Sequence, residues 1–317
     1  MSCPVDLSIY YPTFRLHKDT ATFAQFVRAT SDHMGLSDAG IVEKDYFVTY
    51  FLQRIVKKQP NIILKGGTSL SKCHKMISRF SEDIDLNVEI EAEKLTEGQR
   101  KQLKLDVISV IDESGFSLEN LEQIRSHREH NRYVIDYKTS VAYGYLNPYL
   151  VVETDVFIKS FPTETMEASC LIYDFLLEKK AEQEIVKYNI LPFTVQVQTI
   201  ERTFIDKVFA IADYYLDGRI ETHSRHIYDL CKLYSRISFD EKFAMLVKEV
   251  REARKPCITC LSAQDDVDVP GLLNKVLDED IYKSDYSQIT DELLFEKMPY
   301  SEAVAVLSKI IDDGCFA

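Results

Sequence analysis

The spacing of apolar residues predicts helices near the N-terminus and again through the last third of the chain. Apolar side chains recurring three and four positions apart predict one helix over Thr20–Met34 and a second over 41–57. The same spacing resumes after about residue 200. Further helices are expected at 200–216, 224–235, 239–253 and 300–312.

Short runs rich in β-branched and aromatic residues predict strands between these helical regions. The expected strands are 61–64, 83–90, 133–137, 149–158 and 193–197, with intervening helices at 68–76 and 96–114. The pattern therefore predicts an α/β domain over residues 1–195, with N-terminal helices, followed by a mostly helical domain over 196–317.

Composition and charge narrow the class of protein. The chain has 317 residues, of which 45% are hydrophobic, so it can bury a substantial core. It contains no apolar run long enough to cross a bilayer and no signal-peptide pattern, so we expect a cytoplasmic protein without membrane contact. The seven cysteines suit a reduced compartment. The net charge of −13 argues against broad coating of nucleic acid but allows a local basic patch, as at 125–132.

A glycine-rich turn follows the strand expected at 61–64. Glycine lets a backbone approach an anion closely, and N–H groups at the start of a helix favour negative charge. The pattern is not that of a P-loop, and a tight turn without a ligand explains it equally well. The residues that could hold phosphates are Lys65, Gly66, Gly67, Thr68, Ser69 and Lys72.

Acidic residues follow at a spacing typical of metal binding. Asp83 and Asp85 lie two positions apart in an expected strand, so both carboxylates point to one side. Two like charges held together favour a cation between them, and Mg²⁺ prefers such oxygen ligands. Glu153 and Asp155 supply a further carboxylate from an otherwise apolar strand. A solvated polar strand face is the alternative explanation.

Two charged residues of the helical region have two interpretations each. Lys207 shares a face with the apolar residues that begin at Ile200, so it either extends out to solvent or serves a buried anion. Asp229 either pairs with Arg225 on the surface or points inward and holds Lys207 or another cation. The basic stretch 125–132 either contacts an RNA backbone or is a solvated loop.

Five segments in order resemble the nucleotidyltransferase AbiEii/AbiGii toxin family, whose members include toxins of type IV toxin–antitoxin and abortive-infection systems and MenT-like enzymes. The segments are Glu43-Lys44-Asp45-Tyr46, Leu64 to Leu70, Arg79 to Leu86, Glu201-Arg202-Thr203-Phe204 with Lys207, and Ser224 to Leu230. They span roughly residues 43 to 234.

The resemblance implies a nucleotidyltransferase-like core, with a mixed β-sheet flanked by helices, and a helical C-terminal domain. Its catalytic positions correspond to Asp83, Asp85, Glu153, Lys207 and Asp229, with Asp155 as second choice for the third acid. Arg79 and Lys207 join the turn residues as nucleotide-binding positions. The family has a lysine where this chain has Val151, a departure that weakens one expected substrate contact.

The expected activity is transfer of a nucleoside monophosphate from an NTP to an acceptor hydroxyl, with Mg²⁺ or Mn²⁺ held by Asp83, Asp85 and Glu153. The resemblance implies an RNA acceptor, the 3′ end of tRNA, and a cognate antitoxin. Two alternatives stay open: the same chemistry on a small molecule or protein, and a non-catalytic module that binds NTP or antitoxin.

Overall fold

A computed structural model describes residues 13–89 and 95–317, which form two compact units. The first unit contains the described residues up to Cys73 together with Glu82–Val156 and Glu164–Val197. The second contains His74–Ser81, Phe157–Thr163 and Gln198–Ala317. No helix within these described ranges combines the length and apolar character needed to cross a membrane.

The first unit is built on a mixed sheet in the order β3-β4-β5-β2-β1-β7-β6. The strands are β1 (Ile62–Lys65), β2 (Asp83–Val88), β3 (Ser117–Leu118), β4 (His130–Asp136), β5 (Tyr149–Asp155), β6 (Thr163–Ala168) and β7 (Phe193–Gln198). Strand β2 pairs antiparallel with β1 and parallel with β5, while β4 pairs antiparallel with β5. This arrangement places β2 and β5, the two acid-bearing strands, side by side.

Helices flank this sheet. They are α1 (Thr20–Met34), α2 (Gly40–Lys58), α3 (Gly66–Lys72), α4 (Glu97–Glu113), α5 (Leu171–Glu178) and α6 (Glu182–Tyr188), with 3-10 turns at Leu16–Lys18 and Leu121–Gln123. The start of α1 is capped by the Asp19 side chain, which accepts from Thr22 N, and the helix ends at Gly35 in the left-handed region. A reciprocal capping box between Thr96 and Gln99 starts α4.

Helix α2 is buried along nearly its whole length, including charged residues. Lys44 is almost fully buried, and its Nζ donates to Glu82 Oε2 at 2.7 Å and to the Asn147 carbonyl at 3.1 Å. A buried ammonium is tolerated only when its hydrogen bonds are satisfied in this way. Because Glu82 directly precedes β2, this pair anchors the start of the strand that carries Asp83 and Asp85.

The second unit is mostly helical. Its helices are α7 (Ile200–Asp217), α8 (Arg225–Tyr234), α9 (Glu241–Arg254), α10 (Val269–Glu279), α11 (Lys283–Asp285), α12 (Asp291–Leu293), α13 (Tyr300–Val304) and α14 (Val306–Asp312), with a 3-10 turn at Leu261–Ala263 and a π-helical turn at Tyr286–Thr290. The segment His74–Ser81 is bound to it, since Phe80 N donates to the Leu293 carbonyl at 2.9 Å.

The expected fold class, a mixed sheet flanked by helices with further helices C-terminal to it, is confirmed. The sequence pattern missed β6 because this strand, Thr-Glu-Thr-Met-Glu-Ala, lies at the edge of the sheet and has little apolar alternation. It also missed α5, α6 and α10. The helix expected at 300–312 is instead two helices that meet at Ala305.

Candidate active site

The four predicted acids of the first unit lie on adjacent strands. Asp83 and Asp85 are on β2, and Glu153 and Asp155 are on β5. The parallel register pairs Asp85 with Glu153. All four residues are half-buried, whereas the neighbouring Ile84 and Leu86 point into the core. Alternation along both strands therefore brings the acids to one face of the sheet.

Charged residues extend this acidic face across four strands. The registers place Arg132, Glu153, Asp85 and Lys65 in one cross-strand row through β4, β5, β2 and β1. Lys65 Nζ lies 3.2 Å from Asp155 Oδ2, and Arg132 Nε lies 3.5 Å from Glu153 Oε1. The two acids of β5 are thus each matched by a cation from another strand.

His130 is a second partner of Glu153. Its Nε2 lies 3.4 Å from Glu153 Oε2. The hydrogen bond from His130 lowers the pKa of Glu153 below its usual range, against the effect of burial. The same bond raises the pKa of His130. The sequence allows residues 125–132 either to contact RNA or to form a solvated loop. It does not reveal the partners of Glu153, because β4 begins at His130, before the expected strand at 133–137.

The Gly66 turn lies directly against Asp85. Gly66 has φ +71°, a conformation that other residues rarely adopt, and a Cβ added there would collide with Asp85 Oδ2. Glycine is therefore favoured here for two reasons, its backbone conformation and the closeness of this carboxylate. The turn and the first pair of acids, which are separate motifs in the sequence, are adjacent in the structure.

The hydroxyls of this turn serve the fold. Thr68 Oγ1 donates to the Asp83 carbonyl, and Ser69 Oγ donates to the Gly66 carbonyl at 2.8 Å. Both side chains are fully buried. Both hydroxyls thus donate within the fold, and their role in anion binding stays a prediction, as does that of the backbone N–H groups at the start of α3.

Lys72 is not brought together with the acids of the sheet face. It is almost fully buried, and its Nζ lies 2.5 Å from Asp45 Oδ1. The other oxygen of Asp45 accepts from Leu171 N at 2.8 Å. This pair joins α2, α3 and the start of α5, which is a structural use of both charges.

A second group of predicted residues is assembled within the helical unit. Asp229 is fully buried, and its carboxylate accepts from Arg79 Nε and Nη2 at 2.7 Å each. Lys207 Nζ donates to Asp229 Oδ2 at 2.6 Å. Arg79 is 2% exposed and Lys207 is 5% exposed. Asp229 thus points inward and holds Lys207, which was one of the two interpretations of the sequence. It does not form the surface pair that the other interpretation predicted.

The electrostatics of this group follow from its burial. Burial alone would raise the pKa of Asp229, but the charges and hydrogen bonds of Arg79 and Lys207 outweigh it, so the pKa lies well below the usual range. Burial lowers the pKa of Lys207, against the pull of Asp229. Asp229 is accordingly a poor proton acceptor. No local pattern in the sequence indicates that Arg79, 150 residues away, is the bidentate partner of Asp229.

The acids of the sheet face fit a hard divalent cation by their chemistry. Asp83 and Asp85 offer carboxylate oxygens on one face beside Gly66. Over residues 13–89 and 95–317, however, no three His, Cys, Asp or Glu side chains converge as a ready set of metal ligands. Glu153 is directed to His130 and Arg132, so it would have to turn from them to join the pair.

Comparisons with known proteins bear on this arrangement. The family described as "Nucleotidyl transferase AbiEii toxin, Type IV TA system" matches residues 50–306. A similar solved structure is MenT4, a nucleotidyltransferase toxin from Mycobacterium tuberculosis H37Rv, with 18% identity and a TM-score of 0.49, covering 92% of this chain and 88% of MenT4. No curated protein matches the chain. The family match extends over most of the chain and confirms the resemblance, so the chain belongs to the AbiEii nucleotidyltransferase toxin family of type IV toxin–antitoxin systems.

Proposed function

We propose that this protein is an active enzyme that transfers a nucleoside monophosphate from an NTP to the 3′ hydroxyl of a tRNA and releases pyrophosphate. The observation that carries the proposal is the contact between Asp85 and Gly66. It places a carboxylate suited to a divalent cation against the turn suited to phosphate, which is the combination that nucleotidyl transfer needs.

The proposed metal ligands are Asp83 and Asp85, with Glu153 as the third. Mg²⁺ or Mn²⁺ suits these oxygen donors, and the chemistry that such a cation supplies is charge neutralisation at the transferred phosphoryl group. Within the chain, Arg132 and His130 keep Glu153 ionised, which is the state in which it would bind the cation. Asp155, which pairs with Lys65, is the second choice, because the third acid of the family corresponds to Glu153.

Lys207 is proposed to bind the β- and γ-phosphates, and Asp229 is proposed to hold it in place. A carboxylate that accepts from both Arg79 and Lys207 and has a depressed pKa is poorly suited to remove a proton from the acceptor. We therefore assign Asp229 to positioning and leave deprotonation of the acceptor hydroxyl to the acidic face of the sheet.

Labelled NTPs test the reaction and its acceptor together. Each of the four α-³²P-NTPs would be incubated with the purified protein and Mg²⁺ or Mn²⁺, with intact tRNA, periodate-oxidised tRNA or a protein pool. Label is expected in intact tRNA, and periodate treatment should abolish it because it destroys the 3′ diol. Label that enters only protein or a small molecule would overturn the RNA acceptor while leaving the chemistry in place.

A matched pair of variants tests the role of the acids. Asp85→Asn keeps the side-chain size and removes the charge, and it is expected to lower transfer by at least about 100-fold, as loss of a central electrostatic group does. Asp136→Asn, at the exposed end of β4, is the control and should keep wild-type activity. Growth inhibition in cells should follow transfer. If Asp85→Asn inhibits growth as strongly as the wild type, the protein acts as a binding module.

As a family member, the protein is expected to act in the cytoplasm with a cognate antitoxin. Co-expression with its cognate antitoxin should relieve growth inhibition.

A further inference from the structure

His226 contacts the ammonium of Lys207, a contact to which the reaction proposed above gives no role. His226 Nδ1 lies 3.4 Å from Lys207 Nζ, on the ammonium that also binds Asp229. A protonated lysine only donates hydrogen bonds, so Nδ1 has to be the accepting nitrogen. The ring is therefore neutral and carries its proton on Nε2.

Two neighbouring rings lie nearly parallel to the ring of His226. The rings of Tyr214 and His223 stack with centroids 3.6 Å apart and planes 1° apart. The ring of His226 is within 10° of parallel to both, at 5.8 Å and 6.0 Å. Since α8 carries His226 and α7 carries Tyr214 and Lys207, the contact of Nδ1 with the ammonium joins these two helices.

The charges around the ring keep it neutral. The titratable and charged groups that face it are Lys207 and Tyr214 of α7, Arg225 and Asp229 of α8, and His223. Burial, followed by Lys207 and Arg225, holds the pKa of His226 well below its usual value. At neutral pH the ring is thus an acceptor, and a protonated ring would place two cations 3.4 Å apart.

We propose that His226 is a positioning residue for Lys207. Its Nδ1 takes one N–H of the ammonium while Asp229 takes another, so the third N–H has a defined direction in which to meet a nucleotide phosphate. The proposal rests on the role of Lys207 in the proposed function. It adds His226 to the residues that orient Lys207, beyond the ion pair that Lys207 forms with Asp229.

Two substitutions of similar size separate the acceptor from the bulk of the ring. In His226→Asn the amide oxygen can occupy the position of Nδ1, whereas His226→Gln reaches the position of Nε2 and leaves Lys207 without this acceptor. Loss of a hydrogen bond to a charged group corresponds to about a 10-fold to 100-fold effect. We expect that loss in kcat/KM for NTP, mainly through KM, in His226→Gln and His226→Leu. His226→Asn should stay within about threefold of wild type.

A second measurement does not depend on catalysis. In protein labelled with ¹⁵N-lysine, the NH₃⁺ resonance of Lys207, identified by its absence in Lys207→Arg, should persist in the wild type and His226→Asn and disappear in His226→Leu through faster exchange. His223→Asn, which disturbs the stack but not the contact with Lys207, should keep the resonance. Thermal melting of each variant checks that it is folded.

The outcomes separate the two proposals. If the resonance behaves as expected but neither the wild type nor any variant transfers label, His226 positions Lys207 and the proposed reaction fails. If His226→Leu keeps both the resonance and wild-type KM, the positioning role is overturned. It is also overturned if His223→Asn removes the resonance as fully as His226→Leu does, because the stack would then hold Lys207 without Nδ1.

Discussion

Replacing Asp229 by Asn should destabilise the helical unit strongly. The substitution keeps the side-chain volume, so its cost is electrostatic. It leaves the buried guanidinium of Arg79 and the buried ammonium of Lys207 without their counter-charge. Breaking a buried ion pair from one side costs about 3–5 kcal/mol, because the remaining charge is desolvated without compensation. With two cations left behind, we expect the upper part of that range.

Urea denaturation followed by far-UV circular dichroism measures this loss in free energy of unfolding. Lys207→Met provides a graded comparison, since it leaves Asp229 paired with Arg79, and it should cost about 1–3 kcal/mol. Asp217→Asn removes an exposed carboxylate at the end of α7 and should change stability by no more than about 0.5 kcal/mol.

The pH dependence of the difference follows from the depressed pKa of Asp229. An acid whose pKa is lower in the folded protein contributes stability that is present above its unfolded pKa of about 3.9 and is lost as pH falls through the folded value. The gap between wild type and Asp229→Asn should therefore be constant from about pH 5 to 8 and should narrow only below about pH 4. An Asn variant within about 0.5 kcal/mol of wild type at neutral pH would refute the argument, since it would mean that the two cations are not desolvated.

The sheet face yields two further predictions. Gly66→Ala and Gly115→Ala both place alanine at a positive φ, but only at Gly66 does the new Cβ meet Asp85. Both should lose about 1 kcal/mol of stability from backbone strain, and only Gly66→Ala should also abolish nucleotidyl transfer; equal activities in the two variants would contradict the contact. For His130, whose pKa is raised first by the hydrogen bond to Glu153, NMR titration should give a midpoint above 6.5. In Glu153→Gln that midpoint should fall, and an unchanged value would show that the two side chains do not interact; the stability that this contact adds is full below pH 6.5 and is lost as pH rises through the raised pKa.

Both units contain ion pairs between residues of distant segments. The buried Lys44 pairs with the half-buried Glu82, and Lys72 forms a buried pair with Asp45. Both pairs connect segments far apart in the chain. Such pairs fix which segments meet more than they raise net stability, because desolvation offsets much of their attraction. Here they set the position of β2 and α3, on which the Asp85–Gly66 contact depends.

The sequence alone determined the elements that carry the candidate site and the chemical class, whereas β6, α5, α6 and α10 were not predicted. The apolar spacing predicted α1 at Thr20–Met34, the bounds that the structure has, and placed Asp83 and Asp85 on one face of a strand. These properties depend on residues within one or two turns or strand repeats of each other, so they can be recognised without knowing the fold. The ordered motifs were likewise enough to predict the family.

Only the tertiary structure decided which side chains meet. The register of β2 with β5 places Asp85 beside Glu153, and the turn before α3 places Gly66 against the Asp85 carboxylate. Lys72 and Lys207 look alike in the sequence, as lysines within helices of phosphate-binding motifs. The first is paired with Asp45 of α2 and the second with Asp229 and His226 of α8. These partners lie between 19 and 27 residues away, and no local periodicity reaches across such a separation, so packing alone assigns each charge its partner.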